Sequence, residues 1–242
     1  MFPLLCILAT ISSSSEVSAI YGGAAVARND PLGRQIVLLR VKRPDHRQLL
    51  CAGLYYSPKL IVTAAHCLLI MPESARKLTG AEQQAAHRDA PQARIADVKV
   101  FYRHVGAWLQ PKDFRLDREG DVAVIMMSKP HPAGYQVGLF DERSSIEIVQ
   151  QLRDATFVHL GHEKLGHGSV GEVRRVDRKP SRLAQGPVGR ILMKSEDNAG
   201  VCFGDSGAPV YIQEGSGSMK VIGMHQYGVV SIAQSAVPGT DV

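Results

Sequence analysis

The stretch Gly204-Asp205-Ser206-Gly207-Ala208-Pro209, near the end of the chain, decides how the rest is read. Far upstream stands Thr63-Ala64-Ala65-His66-Cys67, and between the two Gly120-Asp121-Val122-Ala123-Val124. A serine hydroxyl is a poor nucleophile unless a base takes its proton. The base in turn needs a third group that holds its tautomer and stabilises its charge. A serine, a histidine and an aspartate, each in a strongly marked context, point to a hydrolytic site.

Working outward, the chain has 242 residues, 45% hydrophobic and 21% charged, with a formal net charge of +5. That is ordinary globular composition, enough for one large domain or two small packed halves. The N-terminus reads as a processing signal: Phe2 to Ile11 is a short apolar core, Ser12 to Ser15 follow, and Val17-Ser18-Ala19 suits signal peptidase. Residues 1–19 are therefore expected to be a signal peptide, although the usual basic start is missing. Their removal takes away Glu16 and leaves a modestly basic exported chain at +6. No later apolar run is long enough to span a bilayer. The cluster Arg174, Arg175, Arg178, Lys179 and Arg182 reads as a solvated loop and strand edge, so neither nucleic acid nor membrane is an expected partner.

Of four cysteines, Cys6 leaves with the signal, and Cys51, Cys67 and Cys202 remain. An exported chain with an odd count should hold one disulfide and one leftover thiol. Cys51 and Cys67 flank one turn between two apolar segments, and their bridge would clamp the segment bearing His66. In the chain-entropy account such a loop contributes about 3 kcal/mol.

Short β-rich runs alternate with Gly, Pro, Asp and Ser along the mature chain: 36–41, 50–56, 60–63, 95–101, 122–127, 155–160, 170–176, 190–194, 208–212 and 220–227. Many short strands without long periodic helices predict an all-β barrel or sandwich. The exception is 73–92, rich in Ala, Gln, Glu and Arg, which reads as a local helix or an inserted loop. The stretch 128–135, with Pro130 and Pro132, reads as a linker between two similar halves.

The start Ile20-Tyr21-Gly22-Gly23, then Thr63–Cys67, Asp121–Val124 and Gly204–Pro209, resembles the chymotrypsin/trypsin-like serine protease family in the order His, Asp, Ser. The resemblance covers essentially residues 20–242. It implies two packed six-stranded antiparallel β-barrels, about 20–130 and about 136–242, with the active site in the cleft between them. It implies Ser206 as nucleophile, His66 as base and Asp121 as its orienting group. The N–H groups of Gly204 and Ser206 would form an oxyanion hole, where a glycine permits the unusual backbone. Asp205 would pair with the ammonium of Ile20, freed directly by cleavage after Ala19, so that no zymogen stage is expected. The expected product is a secreted, monomeric serine endopeptidase acting on proteins or peptides and open to protein protease inhibitors. No cofactor is expected.

The resemblance places the primary specificity pocket at Gly200 and Val201 on one side and Gln226, Tyr227 and Gly228 on the other. No acid lies at its base, which disfavours cleavage after Arg or Lys and favours large apolar side chains. The run Val221-Ile222-Gly223-Met224-His225 is also similar to bacterial glutamyl endopeptidases, in which a histidine at this place contacts a substrate carboxylate. A third reading is a binding protein on a protease scaffold. His159, His162 and His167 with Glu163 have ligand-type side chains, but the resemblance puts the residues after Gly161 in a variable surface loop, and no metal is expected. Three departures bear on the pocket. Cys202 lacks its usual later partner. Gln226 replaces a serine that bonds the aspartate in the family. The chain also stops at Val242, where relatives continue into a C-terminal helix, so that helix is expected to be missing.

Overall fold

The computed structural model describes residues 23–27, 29–72, 80–102, 106–131, 137–138, 141, 156–164, 170–178, 180–184, 190–193, 204–213, 219–226 and 229–232. In chain order these form β1 (Ala24–Ala25), β2 (Ile36–Lys42), β3 (Gln48–Ser57), β4 (Leu60–Ala64), α1 (Gly80–Asp89), β5 (Val98–Tyr102), β6 (Ala107–Leu109), β7 (Pro111–Asp117) and β8 (Val122–Met127). They continue as β9 (Thr156–Lys164), β10 (Val170–Arg178), β11 (Pro180–Ala184), β12 (Arg190–Met193), β13 (Pro209–Gln213), β14 (Met219–Gln226) and β15 (Val229–Ile232). Two antiparallel sheets result. The first runs β6-β5-β2-β3-β4-β8-β7 and the second β1-β10-β9-β13-β14-β15-β12-β11. The expected all-β class holds. The sheets have seven and eight strands rather than six each, partly because the two-residue β1 and three-residue β6 add to their edges.

The sequence pattern explains the layering. β2 reads IVLLRVK and is buried on both faces, so its apolar residues run on without alternation. Val37, Leu39 and Val41 enter a core inside the first sheet with Tyr55, Ile61, Val100, Tyr102 and Ile125. Ile36, on the opposite face of β2, joins a second core with Ala52 and Leu54 of β3. That core also takes Val158, Leu160, Val173, Tyr211 and Val221 from the second sheet, so β2 and β3 form the wall between the two halves. Each fully buried aliphatic side chain there contributes about 1.5–3 kcal/mol. One polar tie crosses the same wall, from the buried Tyr211 hydroxyl to Oε1 of Gln35 at 2.9 Å.

Most expected strands are present within a residue or two. Two differences have physical causes. Residues Ile95–Asp97 form a 3-10 turn in place of the start of a strand, closed by Asp97 N–H to the Arg94 carbonyl at 2.9 Å and by the Arg94–Asp97 ion pair at 2.7 Å. β7 was not expected, because Lys112, Asp113, Arg115 and Asp117 hide its alternation. Phe114 and Leu116 nevertheless pack on the first core. The helical alternative for 73–92 holds over Gly80–Asp89. Residues 1–19, Ile20, Lys179, His167, Cys202 and everything after 232 lie outside the described residues, as do the features expected of them. Arg174 and Arg175 are engaged rather than simply solvated: Arg174 donates to the Gly23 carbonyl at 2.7 Å, and Arg175 pairs with Asp177 at 2.6 Å. Among the described residues no helix is long and apolar enough to cross a membrane.

Candidate active site

His66 lies in the 3-10 turn Ala65–Leu68 that follows β4, and it is buried. Its neighbour Cys67 is bridged to Cys51 of β3, the pairing expected from the sequence, which clamps the turn to the sheet. Asp121 stands just before β8, paired to β4 through Ala64↔Val122. This register brings the two residues together. The Asp121 carboxylate takes the His66 backbone N–H on Oδ1 at 2.7 Å and faces His66 Nδ1 with Oδ2 at 2.8 Å. With the proton on Nδ1, Nε2 is left as the acceptor on the opposite side of the ring.

Asp121 has a backbone φ of 51°, in the left-handed region that a non-glycine residue seldom occupies. Four hydrogen bonds hold it there. Besides the two from His66, its carbonyl accepts from Ala65 N–H at 3.0 Å and from Gln226 Nε2 at 2.8 Å. The preceding turn is set by Asp117, whose Oδ1 accepts from the N–H groups of Glu119 and Gly120, each at 3.1 Å. Gln226 also reaches the Gly120 carbonyl at 3.3 Å. Gln226, in place of the family's serine, therefore grips the main chain of Asp121 rather than its carboxylate. Gln226 is buried and belongs to β14, so it links the second sheet to the first.

Ser206 sits in the tight turn before β13, half-buried, with positive φ at Gly204 (106°) and Gly207 (81°) on either side. Asp205 is fully buried, and its carbonyl accepts from Ala208 N–H at 2.8 Å. The turn is fixed to both sheets. Gly207 N–H donates to the His225 carbonyl, and His225 N–H to the Ala208 carbonyl, both at 2.8 Å. The Ser206 carbonyl accepts from Ala52 N–H of β3 at 2.8 Å, and Cys67 Sγ lies 3.7 Å from the same oxygen. The serine turn thus abuts the disulfide that carries His66. A side chain at Gly207 would strike Thr63 Oγ1 and the Ala52 carbonyl, the close approach that makes glycine necessary there.

His225 is buried, its ring edge-on to that of His159 with centroids 6.2 Å apart and an interplanar angle of 87°. Of the expected pocket residues, His225 and Gln226 are placed. Gly200, Val201, Tyr227 and Gly228 lie outside the described residues. Among the described residues, Cys51, His66 and Cys67 are the one group whose ligand-type atoms cluster within 4.8 Å, and both sulfurs are taken by the disulfide. Two residues beside the site carried no signal in the sequence, since both stand in polar stretches. His87, at the end of α1, stacks on His66 with ring centroids 5.9 Å apart and 24° between planes. Arg118 secures that helix end by donating to the carbonyls of His87, Arg88 and Ala90 at 3.0, 2.7 and 2.7 Å.

A two-sheet β fold with the Ser206 turn seated against Cys67, and His66 against a buried aspartate, points to the trypsin-like fold class. Residues 20–241 match the Trypsin family, and the chain belongs to it. No curated protein sequence matches the chain. Among solved structures it is similar to the scabies mite inactivated protease paralogue S-I1, with a TM-score of 0.60 at 13% identity, covering 87% of this chain and 93% of that one. At that identity the likeness concerns the fold alone.

Proposed function

We propose that the chain is a secreted serine endopeptidase in which Ser206, His66 and Asp121 act as nucleophile, base and orienting group. One observation carries this reading: the buried imidazole of His66 is held by Asp121 at both its backbone N–H and its Nδ1 edge. In the first step His66 Nε2 takes the proton from Ser206 Oγ as the oxygen attacks the carbonyl carbon of the peptide bond. The resulting oxyanion is received by the N–H groups of Gly204 and Ser206. The imidazolium, steadied by the Asp121 carboxylate, gives its proton to the leaving amine, and the C–N bond breaks. Water then attacks the acyl carbon as His66 takes its proton, and His66 returns that proton to Ser206 Oγ as the ester C–O bond breaks and the acid leaves.

The buried Asp205 fits the proposed pairing with the ammonium of Ile20, because a carboxylate without water needs a cation or several donors. Family membership and the Cys51–Cys67 disulfide support export. For specificity, the glycines and valine expected around the pocket favour large apolar side chains. A second reading, cleavage after glutamate, is favoured by the buried His225 with His159 against its ring. A third, a non-catalytic binding protein, has a parallel in the scabies mite paralogue, which is an inactivated protease.

One experiment separates them. The mature protein and Ser206→Ala are treated with a fluorescent organophosphonate, and the wild type is then profiled on a peptide library. Labelling that Ser206→Ala abolishes supports the protease; none in either favours the binding scaffold. Cleavage after Phe, Tyr or Leu supports the apolar pocket. Cleavage after Glu that is lost in His225→Ala supports the glutamyl reading.

A further inference from the structure

The function above leaves the helix between His66 and Asp121 without a task. α1 is polar, with Glu82, Arg88 and Asp89 exposed, and gives the core little apolar surface. Its one buried polar side chain among the described residues is His87, in the last turn. That ring lies nearly parallel to the imidazole of His66, in the offset range that aromatic pairs prefer.

The helix end bearing His87 is fixed from two sides. Arg118 closes the C-terminal carbonyls, where a cation is also favoured by the helix dipole. After the helix, Ala93 N–H donates to the Leu68 carbonyl and Ile70 N–H to the Pro91 carbonyl, both at 2.7 Å, which stitches the segment onto the residues that follow His66. Arg118 stands three residues before Asp121, in the turn that presents the carboxylate. The helix end is therefore tied both to the residues that follow His66 and to the turn that precedes Asp121.

We propose that His87 is a positioning residue for His66, held in place by Arg118. The inference rests on the reading of His66 as the base. The hydrogen bond to Asp121 fixes one edge of the His66 ring, and a tilt about that bond would move Nε2. A ring stacked beside it resists that tilt and so holds the direction of Nε2. It also sets a π face beside the imidazolium that forms during the reaction. An aromatic ring of similar size should replace His87, and a side chain without a flat face should not.

The test compares His87→Phe, His87→Leu and His87→Ala with the wild type, each first shown to be folded by circular dichroism and urea midpoint. Two readouts are used: the rate of organophosphonate labelling at Ser206, and the low-field proton NMR resonance of the His66 Nδ1–H. The expected result is near wild-type labelling for His87→Phe and a loss of roughly three- to tenfold for His87→Leu and His87→Ala. The resonance should stay sharp in His87→Phe and broaden in the other two. Arg118→Ala should lower the rate as well, and Arg118→Ala with His87→Ala should be no worse than the weaker single variant. Equal labelling and equal line widths in His87→Phe, His87→Leu and His87→Ala would overturn the proposal, leaving His87 as a packing residue. If the wild type does not label, the protease reading fails, and the line widths still decide the role of His87. Should His87→Ala not fold, His87→Leu, which retains bulk, decides the same question.

Discussion

Gly207→Ala tests whether the serine turn is as tightly seated as the geometry requires. Two costs are involved. At a φ of 81° a non-glycine residue loses about 1–2 kcal/mol to its own backbone. The new Cβ would also meet Thr63 Oγ1 and the Ala52 carbonyl inside contact distance, and the Ala64 nitrogen at 2.9 Å. Overpacking of this kind costs about 1–3 kcal/mol. The sum is about 2–5 kcal/mol. The internal control is Gly106→Ala, where φ is 61° and a Cβ meets nothing within 4 Å. That change should cost about 1–2 kcal/mol, the backbone part alone. Urea unfolding of both variants isolates the contact part as their difference. The clashing atoms belong to the joint between the sheets, since Thr63 Oγ1 bonds the Ala52 carbonyl at 2.6 Å and Ala52 N–H bonds the Ser206 carbonyl at 2.8 Å. The folded fraction of Gly207→Ala should therefore also label more slowly at Ser206, whereas Gly106→Ala should not. Equal destabilisation of the two variants would show that the turn has slack and that the reasoning is wrong.

Replacing both Cys51 and Cys67 by alanine opens a bridge with a sequence separation of 16, which lowers stability by about 3 kcal/mol in the chain-entropy account and is read as a drop in urea midpoint. Gln226→Leu keeps the bulk but withdraws the donor from two main-chain carbonyls, so it should lower kcat with little change in KM, by an amount equivalent to about 1–3 kcal/mol. A pure rise in KM would instead place Gln226 in substrate binding. Burial pushes the Tyr211 phenol well above its ordinary range. Because the folded value is the higher one, its contribution to stability is complete below the unfolded tyrosine value of about 10 and fades as pH climbs from there toward the folded value. Tyr211→Phe should therefore flatten the alkaline fall in stability measured by urea unfolding between about pH 10 and 12.

The parts of the fold legible in the sequence were those where burial dictates composition. β2 and β8 could be read directly, because a strand covered on both faces or on one shows its pattern in the residue order. β7 could not, because charged residues surround Phe114 and Leu116, its two side chains packed on the first core. The candidate site divides in the same way. Ser206, His66 and Asp121 were marked by neighbours that shape a turn or strand. The roles of Gln226, Arg118 and His87 depend on partners far along the chain. A glutamine that spans two sheets is indistinguishable, by letter and spacing, from one that lines a pocket.

The likeness to an inactivated paralogue sharpens what must be asked of these contacts, because a fold can outlive its chemistry. A binding scaffold needs the two sheets, their cores and the disulfide. This chain adds an aspartate held at a φ of 51°, a conformation that costs about 1–3 kcal/mol and persists only when its surroundings over-determine it. Here the surroundings do so: Ala65, His66 twice and Gln226 each bond Asp121, and they come from both sheets. The strain has one visible product, a carboxylate aimed at His66 along two bonds. Removing the charge of that carboxylate offers a direct test. If Asp121→Asn, which keeps the shape but loses the charge, leaves labelling at Ser206 unchanged, the carboxylate serves the fold alone. If labelling collapses while the urea midpoint barely moves, the carboxylate acts in the reaction.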